Sequence, residues 1–275
     1  MTKMTVIELY NKLCEIIPTT LSCPWDKDGL ESCPEPQKEV KKVLITLDIT
    51  NAAIDRAIEG GFDVIVSHHP VFFGGLGVMN ALTFDGARAV RLAKNNIAAM
   101  SFHTRLDALE NGVNDTLARL CGLKNVEVIG DERIARVGDL DEEISLCDFV
   151  QNVKKALSHG EGEREASLGV CNVNGRSKRV ALVGGSGGDM MSLAKEAGAD
   201  TYITGEAKHH EALAAYDFGI NLICAGHFFT EYPVCEFLQS TLAGIAPEFE
   251  TEIFFFVYSN EFVEYFYRRT STRKA

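Results

Sequence analysis

The strongest constraint on this chain is a short apolar run that stops at two histidines, Val64-Ile65-Val66-Ser67-His68-His69-Pro70. β-Branched residues in such a run predict a buried strand, which places the histidine pair at or just past its carboxyl end. Pro70 disfavours the helical region for His69, so the second histidine is expected to be extended. Neighbouring side chains of an extended chain point to opposite sides. The pair is therefore awkward for one metal ion and natural for two. The alternative is that one histidine caps the strand by hydrogen bonds while the other faces solvent.

The same rhythm recurs along the chain. Val43 to Asp48 predicts a strand and Asn51 to Glu59 a helix closed by Gly60-Gly61. After Phe84 to Asn95, read as a helix, the strand Ile97 to Phe102 runs into His103-Thr104-Arg105-Leu106-Asp107. Ligands gather at the carboxyl edge of open α/β sheets, and two strands feeding polar groups to that edge favour a functional role for the histidines. Strands are also predicted at 134–140, 179–183, 201–204 and 221–224. The last delivers Ala225-Gly226-His227-Phe228-Phe229-Thr230-Glu231, where Thr230 reads as the N-cap of a helix from about Glu231. Gly184-Gly185-Ser186-Gly187-Gly188, between a strand and a helix, suits either an anion cradle or a plain tight turn. The acidic residues 139–143 read as favourable charge at the start of the helix from Ser145 to Leu157. His159 to Arg164 reads as an exposed loop and 268–275 as a polar basic tail.

A formal charge of −12 opposes general binding to nucleic acid or anionic membrane, since phosphates would be repelled. The eight cysteines form no Cys-x-x-Cys pair, which argues against a zinc knuckle and suits thiols kept reduced in a cytosol. The amphipathic start and the lack of a long uncharged run predict a cytoplasmic protein with no signal peptide or membrane span.

Collected at strand ends, His68, His69, His103, Asp107, His227 and Glu231 are the candidates for chemistry. Nitrogen and oxygen donors without thiolate suit Zn, Mn, Fe, Ni or Co. Adjacent histidines with a carboxylate able to bridge fit two ions about 3.5–4 Å apart, an arrangement that makes bound water more acidic, so hydrolysis is the expected reaction class.

Trp25-Asp26-Lys27-Asp28-Gly29-Leu30, Leu47-Asp48-Ile49-Thr50, Asp63 through Phe73, His103-Thr104-Arg105-Leu106-Asp107, Gly184-Gly185-Ser186-Gly187, Tyr202-Ile203-Thr204-Gly205-Glu206 and Ala225 through Glu231 resemble, in order, the NGG-interacting-factor-like family, whose members are labelled GTP cyclohydrolase 1 type 2 homologues. The resemblance runs over nearly the whole chain. It implies an α/β fold of two lobes with mixed sheets flanked by helices around a metal cleft, and a ring-shaped homohexamer. It implies two divalent transition-metal ions held by His68, His69, Asp107, His227 and Glu231, with Glu231 bridging. His103 falls on a histidine beside the site, suited to a second layer or a proton shuttle, and His210 on a helix histidine facing the cleft. Lys27 and Arg105 depart from the family pattern and are expected to reshape substrate contacts. No stretch is long enough for the inserted middle domain of some relatives. The lobes are expected at 1–130 with 222–275, and at 131–221. The function implied is metal-dependent hydrolysis of a small nucleotide-like or phosphorylated substrate; the competing class is a non-catalytic metal-binding or interaction scaffold.

Overall fold

The computed structural model describes residues 3–158, 166–258 and 263–269. The loop from His159 to Arg164 and residues 270–275 of the basic tail lie outside them. In chain order the strands are β1 (Gly29–Ser32), β2 (Lys42–Thr46), β3 (Val64–Ser67), β4 (Ala98–Ser101), β5 (Lys124–Ile129), β6 (Ala135–Ser145), β7 (Gly169–Cys171), β8 (Arg176–Val183), β9 (Thr201–Thr204), β10 (Asn221–Cys224), β11 (Glu250–Tyr258) and β12 (Val263–Arg269). They form two six-stranded mixed sheets, in the orders β1-β4-β3-β2-β11-β12 and β5-β6-β8-β9-β10-β7. The protein is thus α/β, with helices flanking both sheets. Among the described residues no helix is long and apolar enough to cross a membrane.

In the first sheet β4, β3, β2 and β11 run parallel, with β1 and β12 antiparallel at the edges. Central parallel strands are covered on both faces and read as unbroken apolar runs. Accordingly Leu44, Ile65 and Ala99 pack with Ile54 of the helix Asn51–Gly60 and Leu92 of the helix Phe84–Lys94. Each such fully buried branched side chain contributes roughly 1.5–3 kcal/mol. The second sheet has β8, β9 and β10 parallel, extended by antiparallel β6 and β5 on one side and β7 on the other. Val180, Leu182, Ile203 and Ile223 form its core with Leu117, Phe149 and Val153.

The chain divides into two compact units, residues 1–106 with 235–275, and residues 107–234. The sequence set these divisions at 130 and 221. The difference has a packing cause: Leu117, Ala118, Cys121 and Leu123 join the second core, and β10 pairs with β9, which takes His227 and Glu231 into the second unit. The passage falls inside the helix Thr104–Ala108, so His103 belongs to one unit and Asp107 opens the other.

Three further differences have local causes. Asp139, Asp141, Glu142 and Glu143 lie within β6, which runs directly into the helix Leu146–Leu157 and gives two of them strand partners as well; Asp139 pairs with Arg179 at 3.1 Å and Glu143 with Arg176 across the β6–β8 ladder. The helix bearing His227 begins at His227, with Gly226 (φ 85°) as its cap, so Thr230 sits inside it and is not an N-cap. Strands β1, β5 and β7 have no matching expectation, because they are edge strands with little continuous apolar character.

Candidate functional site

Register explains why distant histidines meet. In the parallel β2-β3-β4 ladder Thr46 lies opposite Ser67, and Ser67 opposite Ser101. The residues that follow, Asp48, His68, His69 and His103, therefore leave neighbouring strands at one carboxyl edge. The histidine pair sits in a bend beyond β3, so strand alternation does not apply to it. The two rings lie close, with centroids 4.7 Å apart, and His103 stands 5.3 and 5.6 Å from them. One ligating atom from each of the three falls within 4.8 Å of the others.

Each of these rings has its Nδ1 engaged by oxygen. His68 Nδ1 donates to the carbonyl of Phe102 at 3.2 Å, His69 Nδ1 meets Asp48 Oδ1 at 2.8 Å, and His103 Nδ1 meets Asp26 Oδ2 at 3.1 Å. A carbonyl or carboxylate partner fixes the proton on Nδ1 and leaves Nε2 as the lone-pair nitrogen, the form that binds metals. All three rings are buried. The turn after them is pinned by Glu31, which accepts from the backbone N–H groups of Val71 and Phe72 (3.0 Å each) and from Ser101 Oγ (2.8 Å). Burial raises the Glu31 carboxyl above its usual range despite those donors.

The Asp26 side chain is 3% exposed and accepts from His103 Nδ1, Thr104 N and Thr104 Oγ1. Burial alone would raise its pKa, yet the hydrogen bonds from His103 and Thr104 hold it far below the usual carboxylate range. A carboxylate depressed on folding adds stability that is complete above its unfolded pKa, near the ordinary 3.8, and is lost as pH falls toward the folded value. Asp26→Asn should therefore cost about 2 kcal/mol at neutral pH, the scale of a charged hydrogen bond. In urea unfolding that deficit should hold steady down to about pH 5 and close only below about pH 4. A deficit already closing between about pH 7 and 5 would exclude Asp26 as its source.

The second unit repeats the device. Val183, Thr204 and Cys224 align across β8-β9-β10, so Gly185, Glu206 and His227 emerge at one edge. His227 Nδ1 lies 3.2 Å from Glu206 Oε1, and its Nε2 lies 2.9 Å from Glu231 Oε2 one helical turn on. Asn114 joins the parts: its Oδ1 accepts from Gly184 N at 2.7 Å and its Nδ2 donates to the Asp107 carbonyl at 3.3 Å. Thr230 Oγ1 accepts from Gly185 N, and Thr204 Oγ1 from Gly187 N, at 3.0 Å each. With the amides of Gly184, Gly185 and Gly187 satisfied from within, this part of the glycine loop is held as a tight structural turn. Its glycines make room for a carboxylate, because a Cβ on Gly185 would lie 2.0 Å from Glu231 Oε1.

Not every candidate joins these groups. His210 is on the first turn of the helix His209–Phe218, its side chain 75% exposed and its Nε2 3.9 Å from Glu211. Of the two residues expected to reshape substrate contacts, Arg105 is buried and held by Asp28 through Nε and Nη2 at 2.6 and 3.0 Å, while Lys27 is exposed. The sequence reading assigned no role to Asp26, Glu31, Asp48 or Asn114. Asp48 carried a usable signal, since it follows β2 as His69 follows β3; Asn114 carried none.

An α/β protein with imidazole and carboxylate groups set at the carboxyl edges of its parallel strands belongs, as a class, with candidate metalloproteins. The chain is a member of the Duf34/NIF3 (NGG1p interacting factor 3) family, whose model matches residues 4–261. It is 32% identical over 244 residues to a GTP cyclohydrolase 1 type 2 homolog of Clostridium perfringens, covering 84% of this chain and 88% of that one. It is 31% identical over 249 residues to the NIF3 homolog of Schizosaccharomyces pombe, covering 84% and 86%. A Staphylococcus aureus hypothetical protein of known crystal structure superposes with a TM-score of 0.79 at 26% identity, over 92% of this chain and 96% of that one.

Proposed function

We propose that this protein is a metal-dependent hydrolase of a small nucleotide-like or phosphorylated compound, with two divalent transition-metal ions (Zn, Fe, Mn, Ni or Co) held by His68, His69, Asp107, His227 and Glu231, Glu231 bridging. The observation that carries it is the tautomer lock: His68 and His69 each spend Nδ1 on an oxygen, which leaves Nε2 to ligate. When bound, such ions supply Lewis acidity and a more acidic water. The chain's own groups do the rest. His103, its Nδ1 proton held by Asp26, offers Nε2 as an acid–base group toward the leaving atom. His210 and Lys27, both exposed, are available to meet the polar parts of a substrate. The label carried by relatives names GTP, and a guanine nucleotide is the natural first substrate to try. The protein acts in the cytoplasm as a homohexamer in this reading.

Elemental analysis of metal-supplemented protein should find about two transition-metal ions per chain. Glu231→Gln should loosen both ions; loss of one alone would refute the bridge, and near-zero loading of the wild type would refute the site. In a screen of nucleotides and cyclic phosphates, turnover should vanish in Asp107→Ala. The competing scaffold reading draws on the exposed apolar side chains of Val78, Met79 and Leu82, which would suit protein contacts. Uniform inactivity of fully loaded protein would favour it.

A further inference from the structure

Two large aromatic rings stand open beside the histidine cluster. Trp25 is 54% exposed and Phe73 60%, although rings of this size are normally buried when they serve only packing. Both approach the imidazole of His103 edge-on: Trp25 at a centroid distance of 6.1 Å and 76°, Phe73 at 5.1 Å and 67°. Phe73 also lies 6.4 Å from the ring of His69.

Neither ring hangs on a loose loop. The residue after Trp25 is Asp26, whose carboxylate is locked onto His103 and Thr104 and whose backbone N–H donates to the Cys23 carbonyl at 3.0 Å. The two residues before Phe73 are gripped by Glu31 through their backbone N–H groups, and Gly75 N closes a turn onto the Phe72 carbonyl at 2.7 Å. The fold therefore holds both rings at the cluster with much of their surface in water. Lys27, exposed two residues from Trp25, adds a cation at the same place in the chain.

We propose that Trp25 and Phe73 form a stacking subsite for a planar heteroaromatic ring, a nucleobase in a nucleotide-like substrate, which they hold beside His103. This rests on the hydrolase reading for its chemical purpose, but the stacking itself needs no metal. Aromatic platforms accept any base because every base has a π-face, so the subsite selects ring-bearing compounds over bare sugar phosphates. The ring is then the part of the substrate nearest His103.

Trp25 is the chain's single tryptophan and reports on its own site. In chelator-treated protein, GMP should quench its fluorescence to saturation, and ribose 5-phosphate should leave it unchanged. Phe73→Ala should weaken GMP binding about tenfold, the scale of one base-stacking partner. Phe73→Leu, which keeps apolar bulk without a π-face, should do nearly the same, and thermal unfolding of both should match wild type because the ring is exposed. Tyr216→Ala, removing a comparably exposed ring on the helix His209–Phe218, should have no effect. Trp25→Leu should lose GMP binding by calorimetry while keeping wild-type metal loading. Equal quenching by ribose 5-phosphate, or Phe73 variants that bind GMP like wild type, would overturn the subsite. Metal loading is read on separate metal-supplemented samples of each variant, and because the titration is done without metal, its failure is distinguishable from failure of the metal reading.

Discussion

Gly185→Ala should unfold at least 5 °C lower than wild type and lose its metal, an effect far beyond that of any other glycine-to-alanine change in the second unit tested beside it. The methyl group would sit 2.0 Å from Glu231 Oε1, 2.9 Å from its Cδ and 3.1 Å from His227 Nε2, and the backbone there has φ 63°. The left-handed conformation costs an L-residue about 1–2 kcal/mol. Crowding adds roughly 1–3 kcal/mol, because the carboxylate is buried and its helix is tied down by Thr230. Two controls separate these causes. Gly198 has φ 72° and open space around its missing Cβ, so Gly198→Ala shows the backbone cost alone. Gly184 has no positive φ and its nearest atoms lie at 3.2 and 3.3 Å, so Gly184→Ala shows mild crowding alone. Thermal unfolding of the three variants with metal analysis of each decides the matter. If Gly185→Ala behaves like Gly198→Ala and keeps its metal, Glu231 is not held where the proposal needs it.

The same glycine shows where sequence reading stops. Strands 201–204 and 221–224 were legible to the residue, since a short apolar run between turn residues fits little else. The polar groups at strand ends were legible too, because carboxyl-edge placement follows from βα order alone. The purpose of Gly184 to Gly188 was not. Strand, glycines and helix suit an anion cradle or a plain turn equally, and the choice depends on whether Asn114, Thr204 and Thr230 reach the amides from 17 to 70 residues away. The histidine pair taught a second limit. Alternation argued for divergent side chains, but the strand ends at Ser67 and the bend after it turns both rings together. Arg105 marks a third. As a departure from the family pattern it was expected to reshape substrate contacts, whereas its partner Asp28 lies 77 residues away in a loop with no periodicity to place it.

That Arg105–Asp28 pair underlies the second large effect. Both side chains are almost wholly buried, at 2% and 3% exposure. Burial alone would favour a neutral guanidinium, but Asp28 reverses this and holds its pKa above the ordinary arginine value. Asp28 also accepts from Ser22 Oγ at 2.9 Å and from the backbone N–H of His103 at 3.0 Å. Arg105 stacks over the ring of Phe102 at 5.1 Å, the residue whose carbonyl fixes the tautomer of His68. The pair thus props two of the three clustered histidines without touching either ring. Asp28→Asn would strand a buried cation and should cost about 3–5 kcal/mol in urea unfolding, as breaking one side of a buried pair does. Arg105→Met added to Asp28→Asn should recover most of that loss, because the amide oxygen still accepts from His103 and no charge is left to solvate. A double variant as unstable as Asp28→Asn alone would show that the ion pair is not the source. With the amide oxygen at position 28 still accepting from the His103 N–H and Arg105 itself buried, Arg105→Met with Asp28→Asn should leave GMP quenching of Trp25 within about twofold of wild type.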